Sequence, residues 1–116
     1  MHELSIVQAL IEQVEAEVEK SGETGPVTAL DLVIGRLSGV HVDSIRFGYE
    51  FLAPGTVLEG AELRIREPSA TIVCRECGYR EPIAELLMRC PQCDSGEIVI
   101  EGGRELLLQS IELNSD

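Results

Sequence analysis

The hydrophobic positions fall into two periods along the chain. From Leu4 to Lys20 the apolar residues Leu4, Val7, Leu10, Ile11, Val14 and Val18 recur at intervals of three and four, while Glu12, Glu15 and Glu19 occupy another face. This predicts an amphipathic helix with a solvated acidic side. Gly22 and the pair Gly25-Pro26 end it. The period then shortens to two. In VTALDLVIGRL, from Val27, residues Thr28, Leu30, Leu32 and Ile34 alternate with Ala29, Asp31 and Val33, which predicts a strand with one face more apolar than the other. Gly35 to His41 read as a connection. A second helix follows, capped by Asp43 or Ser44, running to about Ala53 and stopped by Pro54-Gly55. It holds Phe47, Tyr49 and Phe51, which are expected to pack against a sheet. Ala61 to Glu67 alternates again as a second strand, and Glu105 to Leu113 reads as a strand too apolar to hang free.

Between those last two strands lies a stretch of different character. Pro68-Ser69 marks its entry and Gly102-Gly103 its exit, with ATIVC leading in and EIVIEGG leading out. The first 67 residues alone make a marginal core, so the final strand is expected to return to them. The expected organisation is therefore an α+β fold: two helices on a small mixed or antiparallel sheet, with an inserted subdomain that its two C-x2-C pairs make zinc-ribbon-like. Its parts are a discontinuous domain of residues 1–67 plus 104–116, and an insert of residues 68–103.

All four cysteines sit in the insert, as Cys74-x2-Cys77, twelve residues, and Cys90-x2-Cys93. Each C-x2-C pair forms a tight knuckle presenting two thiolates to one ion, and two knuckles complete a tetrahedron. Gly78 supplies a permissive backbone behind the first knuckle. Asp94 takes the same place behind the second, which Pro91 stiffens. The spacer is shorter than the usual zinc-ribbon gap but accommodates a hairpin-like excursion. Zinc is preferred because it favours closed tetrahedral sulfur sites. Iron and a pair of disulfides are the alternatives, the latter fitting badly with a chain that shows no secretion signal. Four thiolates leave no position for a reactive water, so such a zinc is structural.

Charge narrows the partners. The 116 residues carry 21 acids against 9 bases, a net −12, and a divalent ion on four thiolates adds a further −2. Nucleic acid and anionic membrane surfaces are poor partners for such a polyanion. No apolar run approaches the roughly 18 residues needed to span a bilayer, and no basic leader with an apolar core is visible, so a cytoplasmic location is expected. Nothing matches the P-loop pattern, and no serine or cysteine pairs with a plausible base. Enzymatic activity is not expected.

His2 stands out by position. It and His41 are the only two histidines. The Met1 amine, the His2 imidazole and the nitrogen between them can hold one ion through fused chelate rings, with Glu3 adding a donor. Loss of the amide proton calls for Ni(II) or Cu(II) in square-planar geometry. A lone histidine is more often an incidental surface residue, and position alone raises that assignment above the ordinary.

Taken together, MHELSIVQALIEQV, the IGRLSGV loop, C-x2-C-x12-C-P-x-C and the closing RELLLQSIEL resemble the HypA/HybF nickel metallochaperones of hydrogenase maturation across essentially the whole chain. The resemblance implies a structural Zn2+, with Ni2+ as transient cargo. It implies delivery to the large subunit of [NiFe]-hydrogenase with the GTPase HypB, and in some organisms service to urease and its maturation proteins. The family's nickel site uses the terminal amine, His2 and nearby backbone nitrogens, assisted by Glu3. A further acidic ligand of some members falls on His41 here, with Asp43 two residues beyond. His41 is thus a candidate distal ligand, or equally a loop histidine near a helix start. The rival reading is a zinc-ribbon adaptor that docks partners and carries no nickel.

Overall fold

The computed structural model describes residues 3–114. Contacts group the chain into two compact units: Met1–Leu32 with Val40–Ile65 and Leu107–Asp116, and Val33–Gly39 with Arg66–Leu106.

In the first unit, helix α1 spans Glu3–Ser21 and buries Val7, Leu10, Ile11 and Val14, the stripe expected from the three-four spacing. Leu4, at the head of that stripe, remains 48% exposed. Helix α2 spans Val42–Leu52 and packs on α1. Gly48 sets how closely they approach. A β-carbon there would lie 3.0 Å from Leu4 Cδ2 and 3.3 Å from Val7 Cγ2, so hydrogen is the side chain that fits best. The start of α2 departs from expectation. His41, with φ −86° and ψ 107°, is the N-cap and makes no side-chain capping bond, so neither Asp43 nor Ser44 fills that role.

The aromatic residues also divide differently from the expectation that all three pack inward. Tyr49 is buried, and its hydroxyl donates to the Ala61 carbonyl at 2.9 Å, with the Leu58 carbonyl 3.3 Å away. This ties α2 to the turn-rich segment that follows, and burial raises the phenol's pKa. Phe47 and Phe51, by contrast, are 70% and 72% exposed. At i and i+4 they share a stripe of α2 that Tyr49 does not share.

Strands β1 (Val27–Ile34), β2 (Glu62–Arg66) and β6 (Leu106–Leu113) form one sheet in the order β2-β1-β6. The Asn114 N–H donates to the Pro26 carbonyl at 3.0 Å and Thr28 Oγ1 donates to the Glu112 carbonyl at 3.2 Å, a pairing that runs β1 and β6 antiparallel. Central β1 is buried on both faces apart from Thr28 and Asp31, so the expected contrast between its faces is weak. A polar clasp crosses all three strands. Arg64 on β2 grips Asp31 on β1 with two bonds of 2.9 and 3.0 Å and also meets Glu112 on β6, while Ser110 Oγ donates to Asp31 at 2.6 Å. The Arg64 bonds, then that of Ser110, hold the Asp31 carboxyl below the usual range.

In the second unit β3 (Ala70–Cys74) is the middle of an antiparallel sheet ordered β4-β3-β5, with β4 at Arg80–Ile83 and β5 at Ile98–Glu101. Val73 faces Arg80 on one side and Val99 on the other. The cysteine spacer therefore forms no hairpin of its own; its one strand folds back on β3. Ala70 and Ile72 are fully buried, but β4 and β5 have no buried residue, so this sheet has little apolar core. Among the described residues no helix is long and apolar enough to cross a membrane.

Replacing Gly48 by leucine forces its side chain into Leu4 and Val7. The expected loss is about 1–3 kcal/mol, the usual cost of overpacking, read as a lower urea midpoint with an unchanged slope.

Candidate metal centres

The cysteine cluster is built by two copies of one backbone device. Cys74 ends β3, and its N–H donates to the Tyr79 carbonyl at 2.9 Å; the Cys90 N–H donates to the Ser95 carbonyl at 2.8 Å. Inside each knuckle the N–H of the residue after the second cysteine turns back to the first cysteine's carbonyl: Gly78 to Cys74 at 3.1 Å, Asp94 to Cys90 at 2.8 Å. Both turning residues have positive φ, 78° for Gly78 and 63° for Asp94, the latter being the one non-glycine case among the described residues. This left-handed turn is costly for residues with a β-carbon, and aspartate is among the few that tolerate it. The knuckle needs it because it aims amides at sulfur. Cys77 N–H donates to Cys74 Sγ at 3.4 Å and Cys93 N–H to Cys90 Sγ at 3.4 Å, with Gln92 N–H adding a third bond at 3.3 Å.

The four sulfurs consequently meet. All lie within 4.8 Å of one another, with Cys74–Cys93 and Cys77–Cys90 each at 3.6 Å. A tetrahedral zinc with bonds of ~2.3 Å places its sulfurs roughly 3.8 Å apart, so the cluster fits that ion with little movement. All four cysteines are free thiols. Cys74 and Cys90 are buried, while Cys77 and Cys93 reach the surface.

Electrostatics shows why a cation belongs there. The Cys77 amide, foremost, draws the Cys74 thiol down to about 7. The Ser95 amide pulls Cys93 the same way, but desolvation and the three neighbouring sulfurs outweigh it and push this thiol up to about 12. Cys77 is likewise raised, against the pull of the Tyr79 amide. One thiolate among the sulfurs opposes the next, and a divalent ion reverses that opposition.

The N-terminal candidates take a different form. Met1 and His2 lie outside the described residues. Glu3, the first residue of α1, accepts the backbone N–H of His41 at 3.2 Å, across 38 positions of sequence. That bond is the main cause of a lowered Glu3 pKa. The His41 ring is exposed, and its Nδ1 lies 2.7 Å from Ser44 Oγ. Ser44, expected to be a cap, thus orients an imidazole instead. The i,i+3 spacing of His41 and Ser44 was the signal available for this contact. Glu3, Leu4, Ser5, Ser44 and Phe47 line an open cleft of about 440 Å³. The structure thus brings Glu3, Ser44 and His41 together.

Residues 1–113 match the family model described as HypA, hydrogenase/urease nickel incorporation, metallochaperone. The chain belongs to the HypA family. It is 40% identical over 113 residues to the hydrogenase maturation factor HypA of Chlorobaculum tepidum, covering 97% of this chain and 99% of that protein. It is 34% identical over 116 residues to the HypA of Dehalococcoides mccartyi, covering 100% and 98%. Its fold is shared with the solution structure of the Ni metallochaperone HypA from Helicobacter pylori, at a TM-score of 0.66 with 23% identity over 100% of both chains. A second solution structure, of a HypA protein, gives 0.69 and 24%, covering 100% of this chain and 98% of that one. HypA proteins are nickel metallochaperones of hydrogenase maturation, and the four-cysteine cluster of this member is of the zinc-binding kind.

Because Cys77 and Cys93 hold their protons at pH 7, filling the cluster with Zn2+ at that pH is expected to release at least about two protons per ion. Calorimetric titrations in buffers of different ionisation enthalpy measure this number. Affinity falls as pH falls, since protons and zinc compete for the same sulfurs.

Proposed function

We propose that this HypA protein carries Ni(II) at its N-terminus and delivers it to the [NiFe]-hydrogenase large subunit, working with the GTPase HypB and, where urease is present, serving its maturation proteins as well. The ligands are the Met1 amine, the His2 imidazole and the backbone nitrogen between them. Glu3 assists and His41 is the distal donor. The observation that carries this reading is the Glu3–His41 contact: two residues singled out by different arguments, far apart in sequence, share one exposed corner. When Nδ1 of His41 donates to Ser44, Nε2 keeps a lone pair for a metal. The positive end of α1 also favours an ionised backbone nitrogen beside it.

On this reading residues 1–67 with 104–116 form the nickel-binding part and residues 68–103 the zinc-binding part, in a cytoplasmic protein with no chemistry of its own. Zinc is held by Cys74, Cys77, Cys90 and Cys93, where it supplies cohesion to a segment with few buried apolar residues. Nickel is cargo. An open terminal chelate lets a recipient replace donors one at a time, which a closed sulfur tetrahedron does not.

The test is a Ni(II) titration of native protein, His2→Ala and a form extended by an N-terminal tag. The carrier reading predicts that both altered proteins lose the high-affinity event, and that His41→Ala weakens it roughly 10-fold or more. Three similar curves would leave the adaptor reading in its place. Protons compete for a terminal amine (reference value roughly 8) and the His2 imidazole (roughly 6.5), so nickel is expected to dissociate between about pH 7.5 and 6. Equilibrium dialysis across that window, with zinc followed in parallel, reads both metals.

A further inference from the structure

Phe47 and Phe51 hold half of the chain's four aromatic rings in water, at 70% and 72% exposure, and the fold does not use them. Each offers most of an aromatic side chain's roughly 200 Å² for burial, and Leu4, 48% exposed, extends the surface onto α1. Leu4 leans against Gly48, the residue after Phe47, and both Leu4 and Phe47 line the cleft that contains Glu3. The apolar surface is therefore continuous with the corner where Glu3 meets His41.

Its setting is acidic. Asp43 and Glu50, one turn to either side of Phe47 on α2, are both exposed. The compact unit that carries the patch holds 13 of the 21 acids and only 3 of the 9 bases. Those three are engaged elsewhere. Arg64 is held in the sheet clasp, Arg46 reaches the Leu63 carbonyl at 3.4 Å, and Lys20 lies 4.0 Å from Glu17 near the end of α1. A second copy of this chain would set acid against acid, and an anionic membrane would be repelled in the same way. Complementarity leaves an occupant that is apolar along one stripe and cationic beside it.

We infer that the Leu4–Phe47–Phe51 surface is the docking site for an amphipathic helix of a partner protein, with apolar side chains on the two phenylalanines and Lys or Arg facing Asp43 and Glu50. Docking there sets the partner beside the Glu3 corner. Its bearing on nickel transfer rests on the carrier reading; the docking itself does not.

The test uses full-length, zinc-loaded protein and a fluorescent 18-residue designed helix with a leucine stripe flanked by lysines, followed by anisotropy. A second helix carries glutamates in place of the lysines. Native protein should bind the lysine-flanked helix, and Phe47→Ala/Phe51→Ala should weaken binding at least about 30-fold, the scale of an aromatic hot spot. Glu50→Lys, which keeps both rings, should weaken it about 10-fold. Equal binding by the double variant means charge alone attracts the helix and overturns the inference. Equal binding of the two helices removes the charge argument and overturns it as well. Sedimentation showing a native dimer that the double variant lacks assigns the face to a second copy instead. A parallel Ni(II) titration of Phe51→Ala, which removes the ring that does not line the Glu3 cleft, should match native protein. Absence of nickel affinity in both would sink the carrier reading while leaving the docking result intact.

Discussion

Four sulfur atoms gathered within 4.8 Å of one another cannot all ionise in the absence of a cation, and this constraint organises the cysteine-bearing unit. The sheet around β3 has few fully buried side chains, chiefly Ala70 and Ile72, too few to hold three strands and two knuckles by apolar burial alone. The knuckle amides lower one thiol to about 7, but desolvation and then the neighbouring sulfurs raise another to about 12. A divalent ion satisfies both. Metal affinity and folding of this segment are then a single free energy.

The other unit solves a different problem. Its core comes from α1, β1 and α2, closed by Gly48 where the helices meet and clasped across the sheet by Arg64. With that core complete, the beginning of α1 and the beginning of α2 are left at the surface, where the His41 amide donates to Glu3. In the proposed division, permanence belongs to the sulfur cluster and exchange to the nitrogen-rich terminus. The contrast follows from ligand chemistry: thiolates enclose zinc on all four sides, whereas an amine, an imidazole and an amide leave nickel open above and below the plane.

Much of this was legible in the sequence because the signals were local. The three-four spacing from Leu4 to Val18 marked α1, and the paired C-x2-C marked the sulfur cluster down to the left-handed turn at Asp94. What escaped was set by tertiary context. Phe47 and Phe51 were assigned to the interior by residue type, yet on α2 they share a stripe that Tyr49 does not, and the helix buries only one of the two faces. Ser44 looked like a cap because it precedes an apolar run; the helix starts earlier and its hydroxyl meets His41. The Glu3–His41 contact spans 38 residues; no period or spacing encodes such a meeting, and only the family resemblance had assigned both residues to one site.

The central claim is that nickel sits on nitrogen at the N-terminus while zinc keeps the sulfurs. X-ray absorption at the nickel edge of untagged protein holding both metals tests it most directly. The account predicts a four-coordinate, planar nickel with nitrogen and oxygen donors and no sulfur scattering. A six-coordinate oxygen environment, or nickel bound to sulfur, would contradict it.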